Sequence, residues 1–346
     1  MKYVNFGGRG LKVSQVALGT MTFGTERGVG STEDESRQIF ERYLEIGGNF
    51  IDTANTYTEG TSERFVGLFS RSLRQSLVLA TKYGLTTKRS DINASGSSRK
   101  NLVQSVEDSC SRLGTDYIDL LWLHAWDTLT TPEETLRALD DLIRAGKVLY
   151  LGISNAPAWF VVRSNTIAEL RGWSAFAGIQ AEYSLIERSA ELELFPMAQH
   201  LNLTPTVWSP LGGGILTGKY NPGARRVGEA PRRLDTFKWL QQADERNLAI
   251  GIELTEVADS AEINATHLAL AWIKYRFPTA IPLLGVRSVA QLDDNLAFLD
   301  LTVPTDVLER VDRINRPTPL FPYSYLQSPL GIGQVYGDFS EHVIHE

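Results

Sequence analysis

The sequence predicts an α/β protein built as a closed (β/α)8 TIM barrel that is preceded by an N-terminal β-hairpin. Eight short apolar runs alternate with amphipathic stretches along 346 residues, and no change of composition divides the chain. Such alternation is typical of parallel strands connected by helices. A barrel of eight units accounts for this length without a second domain. We therefore expect residues 1–346 to form one domain.

Eight apolar runs are the predicted strands of the barrel. These runs are Val16–Gly19, Phe50–Asp52, Leu77–Lys82, Ile118–His124, Val148–Ser154, Ala177–Tyr183, Thr206–Pro210 and Ala280–Val286. Before the first of them, Tyr3–Phe6 and Leu11–Val13 flank a glycine-rich turn. That spacing predicts a hairpin that plugs the bottom of the barrel.

Helical stretches lie between and after these runs. They are Asp34–Ile46, Ser62–Phe69, Arg99–Leu113, Pro132–Ala145, Ala158–Leu170, Leu192–His200, Arg246–Arg276 with a break near Glu262, Gln291–Phe298 and Thr305–Asn315. Thr131, Pro132 and Glu133 stand in the order of a helix cap, a first-turn proline and a first-turn acid.

A doubly wound sheet is the alternative fold for this alternation. It normally carries G-x-G-x-x-G after its first strand. The segment from Leu18 to Gly24 reads Leu-Gly-Thr-Met-Thr-Phe-Gly and lacks that spacing. The sequence therefore favours the closed barrel.

Charge and cysteine content exclude several classes of partner. The formal net charge is -7 and the isoelectric point is about 5.4. An acidic surface repels nucleic acid and anionic lipid, so we expect neither as a partner. The single cysteine, Cys110, forms no internal disulfide. The first ten residues lack an apolar signal region, and we expect a cytoplasmic protein.

Four ionisable residues stand at or just after the ends of successive apolar runs. Asp52 ends the second run, and Tyr57 follows five positions later. Lys82 ends the third run and His124 ends the fourth. Functional residues of such barrels lie at the carboxyl ends of the strands, so we expect these side chains to ring one mouth. Any one of these residues alone is commonly a helix cap, a solvated group or a core residue. All four in this order at successive strand ends predict a catalytic site.

The residue types of this set fit proton transfer to a carbonyl oxygen. Tyrosine has an ordinary pKa near ~10 and is a weak acid at neutral pH. A nearby ammonium lowers that pKa, and a carboxylate holds the ammonium in place. A histidine donates a hydrogen bond to the carbonyl oxygen or its developing negative charge. The set therefore predicts Tyr57 as the proton donor while a hydride reaches the carbonyl carbon.

The chain resembles the aldo-keto reductase family over nearly its whole length. The motifs that carry the resemblance are Gly47–Ala54 followed by Tyr57, Leu79–Lys82, Asp116–Leu120 leading to His124, and Leu151–Asn155. The family's four catalytic positions fall on Asp52, Tyr57, Lys82 and His124, and none is substituted. The resemblance implies an NADP(H)-dependent oxidoreductase that reduces an aldehyde or ketone to an alcohol.

The resemblance also implies a cofactor site that extends across the barrel mouth. Ser154, Asn155 and Gln180 match the positions that hold the nicotinamide carboxamide. Trp208 matches the aromatic residue that stacks on the nicotinamide ring, where a flat side chain fixes one face at little entropic cost. The other implied cofactor residues are Ser209, Pro210, Leu211, Gly212, Gly218, Lys219, Gly285, Arg287, Ser288, Gln291 and Asn295.

The adenosine end of this implied site lies after the last strand. Arg287 and Ser288 match positions for the 2′-phosphate, and Gln291 and Asn295 match positions for the ribose or adenine. Some members of the family carry a lysine where Gly285 stands. The preference for NADP(H) over NAD(H) therefore depends on Arg287.

A glycine-rich segment precedes a basic one. Gly213–Tyr220 nearly matches the P-loop pattern, but Tyr220 replaces the Ser/Thr that binds magnesium. We therefore exclude an NTPase and expect the glycines to let backbone amides approach a pyrophosphate. The basic residues of this region are Lys219, Arg225, Arg226, Arg232 and Arg233. They form either a segment that folds over the cofactor or a solvated loop.

Substrate loops of the family follow strands one and four and include the C-terminal segment. Here they contain Phe23 and Trp126, and the tail carries further aromatic residues. Such a lining favours an apolar or aromatic carbonyl compound, and a sugar-nucleotide ketone, a steroid and a small aldehyde remain open. The scattered histidines predict no metal site. The oligomeric state remains open.

Two other functions fit parts of this pattern. Potassium-channel β-subunits share the scaffold, so a cofactor-sensing regulatory subunit with little turnover is one alternative. A barrel aldolase that uses Lys82 for a Schiff base is the other. Because Asp52 and Tyr57 flank that lysine, the sequence favours reduction.

Overall fold

The observed strands confirm the predicted barrel and its hairpin. The computed structural model describes residues 1–26, 28–224, 234 and 244–342. Its strands are β1 Tyr3–Asn5, β2 Lys12–Ser14, β3 Ala17–Gly19, β4 Phe50–Asp52, β5 Val78–Tyr83, β6 Ile118–Leu123, β7 Val148–Ser154, β8 Gly178–Glu182, β9 Thr204–Trp208 and β10 Ile281–Gly285. Strands β3 to β10 pair in parallel in chain order, and β10 pairs with β3 to close the barrel.

Strand β9 ends earlier than its apolar run predicts. The run extends to Pro210, but Trp208 is the last residue of the strand. Ser209 adopts a left-handed backbone conformation with φ of 57°, which turns the chain out of the sheet. Proline at the next position has no N–H to continue the ladder.

Helices surround the barrel and cover its apolar strands. They are α1 Glu33–Glu45, α2 Thr61–Ser70, α3 Arg99–Leu113, α4 Pro132–Arg144, α5 Ala158–Arg171, α6 Leu194–His200, α7 Glu245–Ser260, α8 Ala265–Arg276, α9 Val289–Leu296, α10 Thr305–Ile314, α11 Tyr323–Leu326 and α12 Pro329–Tyr336. The predicted break near Glu262 separates α7 from α8. Glu262 has φ of 56°, and Asn264 caps α8 by accepting from the Thr266 amide at 2.8 Å.

The hairpin closes the amino-terminal end of the barrel, as predicted. Phe6 is fully buried and meets Phe50 and Trp122 edge to face, with ring centroids 6.0 and 6.1 Å apart. A Cβ on Gly178 would lie 2.3 Å from the Phe6 ring, so the start of β8 needs a glycine there. Because this end is filled, the mouth at the carboxyl ends of the strands is the open one.

The C-terminal segment carries exposed aromatic rings. Phe321 is 81% exposed and Phe339 is 71% exposed, so neither ring packs on the barrel. Within the described ranges, no helix is long and apolar enough to cross a membrane. The same residues contain no group of three metal-binding side chains.

Candidate active site

A buried ion pair joins the carboxyl ends of β4 and β5. Asp52 and Lys82 have no exposed surface. The Lys82 ammonium donates to the Asp52 carboxylate, to the Thr53 carbonyl at 2.8 Å and to the Tyr57 hydroxyl at 3.1 Å. An ammonium has three N–H donors, so each one is engaged here. The Asp52 and Thr53 contacts aim the remaining donor at Tyr57.

A strained turn places Tyr57 beside the ammonium. The backbone after Tyr57 is left-handed at Thr58 and Glu59, with φ of 45° and 55°. Such conformations cost of order 1–3 kcal/mol at a non-glycine residue. The Thr58 hydroxyl donates to the Phe23 carbonyl at 2.6 Å, which helps to hold the turn. The sequence after β4 therefore stores strain in order to present one hydroxyl.

The charge on Lys82 is held by its neighbours. Burial alone would lower the pKa of the ammonium, but the negative charge of Asp52 and the Tyr57 hydroxyl outweigh burial and raise it. The second Asp52 oxygen accepts from the Gln180 side-chain amide at 2.9 Å. Lys82 is therefore a protonated donor at physiological pH rather than a free amine.

His124 faces Tyr57 directly after β6. The two rings lie edge to face with centroids 6.0 Å apart. Burial and the Lys82 ammonium lower the pKa of His124 to about 3, so the imidazole is neutral near pH 7. Its Nδ1 has no hydrogen-bond partner among the described residues. The fold thus brings together the four residues predicted from the strand ends.

The carboxyl ends of β7 and β8 carry the residues expected at the nicotinamide. Ser154 and Gln180 lie opposite each other in the strand register. The Ser154 hydroxyl is buried and without a hydrogen-bond partner in the described part of the chain. Asn155 has φ of 47°, and its side-chain amide donates to the His124 backbone carbonyl at 2.9 Å. Since buried polar groups are normally satisfied, the Ser154 hydroxyl fits a ligand that supplies the partner.

The segment after β9 turns tightly at a run of glycines. Trp208 is half-buried at the strand end. Gly213 and Gly214 have φ of 62° and 98°. The Lys219 side chain folds over Gly214, where a Cβ would lie 2.3 Å from its Nζ. The predicted cofactor residues 209–212 and Gly218 belong to this segment. The predicted basic residues Arg225, Arg226, Arg232 and Arg233 lie outside the described residues.

The loop after β10 leads into α9 and is fixed by two hydrogen bonds. The Ser288 hydroxyl accepts from the Gln291 amide at 3.3 Å, and the Gln291 side chain accepts from the Arg287 amide at 2.9 Å. Both side chains thus organise the loop. Gly285 at the strand end is exposed, and Asn295 is 9% exposed on α9. In the described ranges the Arg287 guanidinium pairs with no carboxylate, which leaves it able to bind an anion.

Phe23, which the sequence predicts as a substrate residue, lies in the core and not at the open mouth. The ring has no exposed surface and packs against Phe69 of α2, with centroids 6.4 Å apart. Its backbone carbonyl accepts from Thr58, and Thr22 donates its hydroxyl to the Val286 carbonyl at 2.8 Å. These contacts turn the ring into the core between the barrel and its helices.

Trp126 lies in an aromatic cluster at the rim that the sequence did not predict. Its ring meets Trp159 edge to face at 5.6 Å and Phe160 at 5.8 Å. Trp159 is 56% exposed. The Trp126 amide donates to the Asn155 carbonyl at 3.3 Å, which ties the cluster to the residues beside His124. The available signal was two aromatic residues soon after the end of β7.

Comparisons with known proteins agree with this geometry. The model of the Aldo/keto reductase family matches residues 15–316. Norsolorinic acid reductase stcV of Emericella nidulans is 36% identical over 331 residues, which cover 92% of this chain and 83% of that protein. Aryl-alcohol dehydrogenase [NADP(+)] of Phanerodontia chrysosporium is 34% identical over 362 residues, which cover 98% and 90%. A norsolorinic acid reductase of Aspergillus flavus is 34% identical over 329 residues, which cover 92% and 81%.

Proposed function

The chain belongs to the aldo/keto reductase family of oxidoreductases, and on that premise we propose that it reduces an aryl aldehyde or ketone with NADPH. The observation that carries the proposal is the Lys82 ammonium, which is anchored by Asp52 and donates to the Tyr57 hydroxyl at 3.1 Å. Few structural roles require a buried ammonium to be aimed at a half-exposed phenol.

Tyr57 is the proton donor in this proposal. Its hydroxyl proton passes to the carbonyl oxygen, and the Lys82 ammonium stabilises the phenolate that remains. His124 is neutral because its pKa is about 3, so it donates a hydrogen bond to the carbonyl oxygen without competing as an acid. When bound, NADPH supplies the hydride that reaches the carbonyl carbon.

The residues of the mouth fit a nicotinamide dinucleotide. The unpartnered Ser154 hydroxyl and the Gln180 side chain accept and donate to the carboxamide, and Trp208 lies against the ring. The glycine-rich segment after β9 is the proposed pyrophosphate site, and the Gly212, Gly214 and Gly218 amides, which donate within the segment, hold its turns. Arg287 binds the 2′-phosphate, which supports NADP(H) rather than NAD(H).

The rim supports an aryl substrate. Trp126 lies two residues after His124 in the chain, and it packs against the exposed Trp159 and the buried Phe160. Aromatic rings attract one another by about 0.5–1.5 kcal/mol beyond the burial of their surface. Names of the relatives point the same way, since they include a norsolorinic acid reductase and an aryl-alcohol dehydrogenase.

The state of Lys82 disfavours a Schiff-base aldolase. A nucleophilic lysine needs a free amine, usually produced by a lowered pKa. Here Asp52 and Tyr57 raise the pKa of the ammonium, and its three N–H groups all have acceptors.

Replacing Tyr57 tests the proton donor. We expect Tyr57→Phe to bind NADPH nearly as the wild type does and to lose roughly 10²–10⁴-fold in turnover, the usual contribution of general acid catalysis. Cofactor titration and a panel of carbonyl substrates followed by NADPH absorbance give both values. Turnover near that of the wild type would refute the assignment. A wild type that binds NADPH but reduces no carbonyl on the panel would favour a regulatory subunit.

Replacing Trp159 tests the substrate class. Trp159→Ala should raise KM for benzaldehyde-type substrates about 3- to 10-fold, the loss of one aromatic contact, and leave KM for short aliphatic aldehydes unchanged. Leu170→Ala is the matched control, because Leu170 lies at the far end of the same helix and is 79% exposed. Equal effects on aryl and aliphatic substrates would remove Trp159 from the substrate site.

A further inference from the structure

We propose that Gln180 is a positioning residue that links the nicotinamide site to the Tyr57 proton donor through Asp52 and Lys82. The inference rests on the proposed function and adds a connection between its two halves. Gln180 would thus both hold the carboxamide and fix the position of the Lys82 ammonium relative to Tyr57.

The connection is a continuous buried chain of hydrogen bonds. Gln180 is 2% exposed, and its amide nitrogen donates to one Asp52 oxygen at 2.9 Å. The other Asp52 oxygen accepts from Lys82, whose remaining donors reach the Thr53 carbonyl at 2.8 Å and the Tyr57 hydroxyl at 3.1 Å.

The contact with Asp52 fixes the orientation of the Gln180 side-chain amide. A carboxylate accepts only, so the amide nitrogen must face Asp52 and the amide oxygen must face away. In the described residues that oxygen accepts no hydrogen bond. Gln180 lies opposite Ser154 in the register of β7 and β8, beside the buried hydroxyl that also lacks a partner. An N–H donor bound between Ser154 and Gln180, such as a carboxamide, would complete both.

The proposed effect on catalysis depends on which donors the two Asp52 carboxylate oxygens accept from. With Gln180 in place, one carboxylate oxygen is occupied by a neutral donor and the other by Lys82. Without that donor, the whole carboxylate is available to Lys82, which draws the ammonium away from Tyr57. Among the described residues, the charged and titratable groups around Tyr57 include Lys82, Asp52 behind it, and the neutral His124. Weaker contact with the ammonium makes Tyr57 a weaker acid.

Three variants separate positioning from cofactor binding. Gln180→Met removes the donor at similar volume, and Gln180→Glu keeps the shape but sets a carboxylate against Asp52. Ser154→Ala is the control, because Ser154 faces the carboxamide and has no bond to Asp52. The measurements are the NADPH dissociation constant, kcat at saturating NADPH and benzaldehyde, and the pH at which kcat falls on the alkaline side.

We expect all three variants to weaken NADPH binding. The Gln180 variants should lower kcat by roughly 10-fold, for the loss of one hydrogen bond to a charged group. Only they should move the alkaline limb upward, further for Gln180→Glu than for Gln180→Met. Ser154→Ala should keep the limb where the wild type has it. Thermal unfolding of each variant shows that the comparison is made on folded protein.

Gln180 variants that behave as Ser154→Ala does, with weaker NADPH binding and an unmoved limb, would overturn the positioning role and leave the proposed function intact. Failure of the proposed function itself would look different. In that case Tyr57→Phe would keep its turnover, whatever the Gln180 variants do.

Discussion

Two groups of buried charges in this barrel have similar composition and different surroundings. Asp52 and Lys82 form the first group at the mouth. The second group lies behind the loop after β8. It contains Arg188, Glu191, Arg276 and Asp312, and Arg188 is 3% exposed.

The second group satisfies its charges internally. Arg188 contacts Glu191 at 2.6 Å and Asp312 at 2.9 Å, and Arg276 contacts the same two carboxylates at 2.8 and 3.2 Å. Tyr183 also donates to Glu191 at 2.8 Å. Two cations and two carboxylates therefore balance, and the cluster joins the β8 loop to α8 and α10.

The group at the mouth continues to side chains outside the ion pair instead. Lys82 extends to the Tyr57 hydroxyl, and the neighbouring His124 Nδ1 lacks a partner in the described residues. Burial of charge is thus common to both groups and does not mark function. What distinguishes the proposed active site is that the nearby His124 Nδ1 and Ser154 hydroxyl have no hydrogen-bond partner among the described residues.

The largest expected effect separates activity from stability at the mouth. Combined Asp52→Leu and Lys82→Met should remove at least roughly 10²–10⁴-fold of turnover, because Tyr57 loses its ammonium. Replacing both members of a buried pair is often neutral or stabilising by about 1–4 kcal/mol, so the variant should unfold no more easily. Denaturant unfolding and NADPH-linked turnover measure the two effects. A variant that is destabilised by several kcal/mol would make this pair a structural one.

The opposite outcome is expected at the second group. Arg188→Met leaves Glu191 and Asp312 with one cation between them and should cost about 3–5 kcal/mol of unfolding free energy. Turnover per folded molecule should not change, since no member contacts Tyr57 or Lys82. Active-site titration with NADPH counts the folded fraction. A loss of turnover per folded molecule would contradict the division into two groups.

Arg287 differs from Arg188 and Arg276, because in the described ranges its guanidinium pairs with no carboxylate. Arg287→Ala should weaken NADPH binding about 10- to 150-fold, the loss of a charged hydrogen bond worth roughly 1.5–3 kcal/mol, and should leave NADH binding nearly unchanged. Its unfolding free energy should stay within about 0.5 kcal/mol of the wild type, as for most surface changes. Equal losses for both cofactors would assign Arg287 to the shared adenosine or to the fold.

Acid sensitivity should differ between the two groups. His124 takes no proton in the folded state until about pH 3, whereas an unfolded histidine takes one near ~6.5. Stability from this depressed pKa is present above ~6.5 and is lost as pH falls toward 3, by on the order of 2 kcal/mol between pH 7 and 5. His124→Gln should abolish that loss in denaturant titrations at the two pH values.

The second group should respond only in stronger acid. Burial raises the pKa of Glu191, but hydrogen bonds from Arg188 and Arg276 outweigh it, so the pKa lies below the ordinary value. Its contribution is therefore present above the ordinary range of a glutamate and lost below it. A His124→Gln variant that still weakens between pH 7 and 5 would show that some other group takes up the proton.

Most of the fold could be predicted because each barrel strand is a short apolar run and each helix carries local start and stop signals. That the four residues of the proposed catalytic set come together could be predicted, because parallel strands end at one rim whatever the loops do. Phe23 could not be placed in this way. It lies in a loop, and its direction depends on bonds to Thr58 and to the chain near Val286, which local pattern does not contain.

The sequence by itself determined the order of strands, the family and the positions of Asp52, Tyr57, Lys82 and His124. Periodicity and motifs involve residues that are close together in the chain, and each of these features can be recognised from such short segments. Only the tertiary structure decided which polar groups are satisfied. Gln180 meets Asp52 across 128 positions, and Arg188 meets Asp312 across 124. Hydrogen bonds over such separations exist only once the barrel has closed, and they place one buried acid beside the proposed proton donor and another in a cluster that joins the β8 loop to the helices.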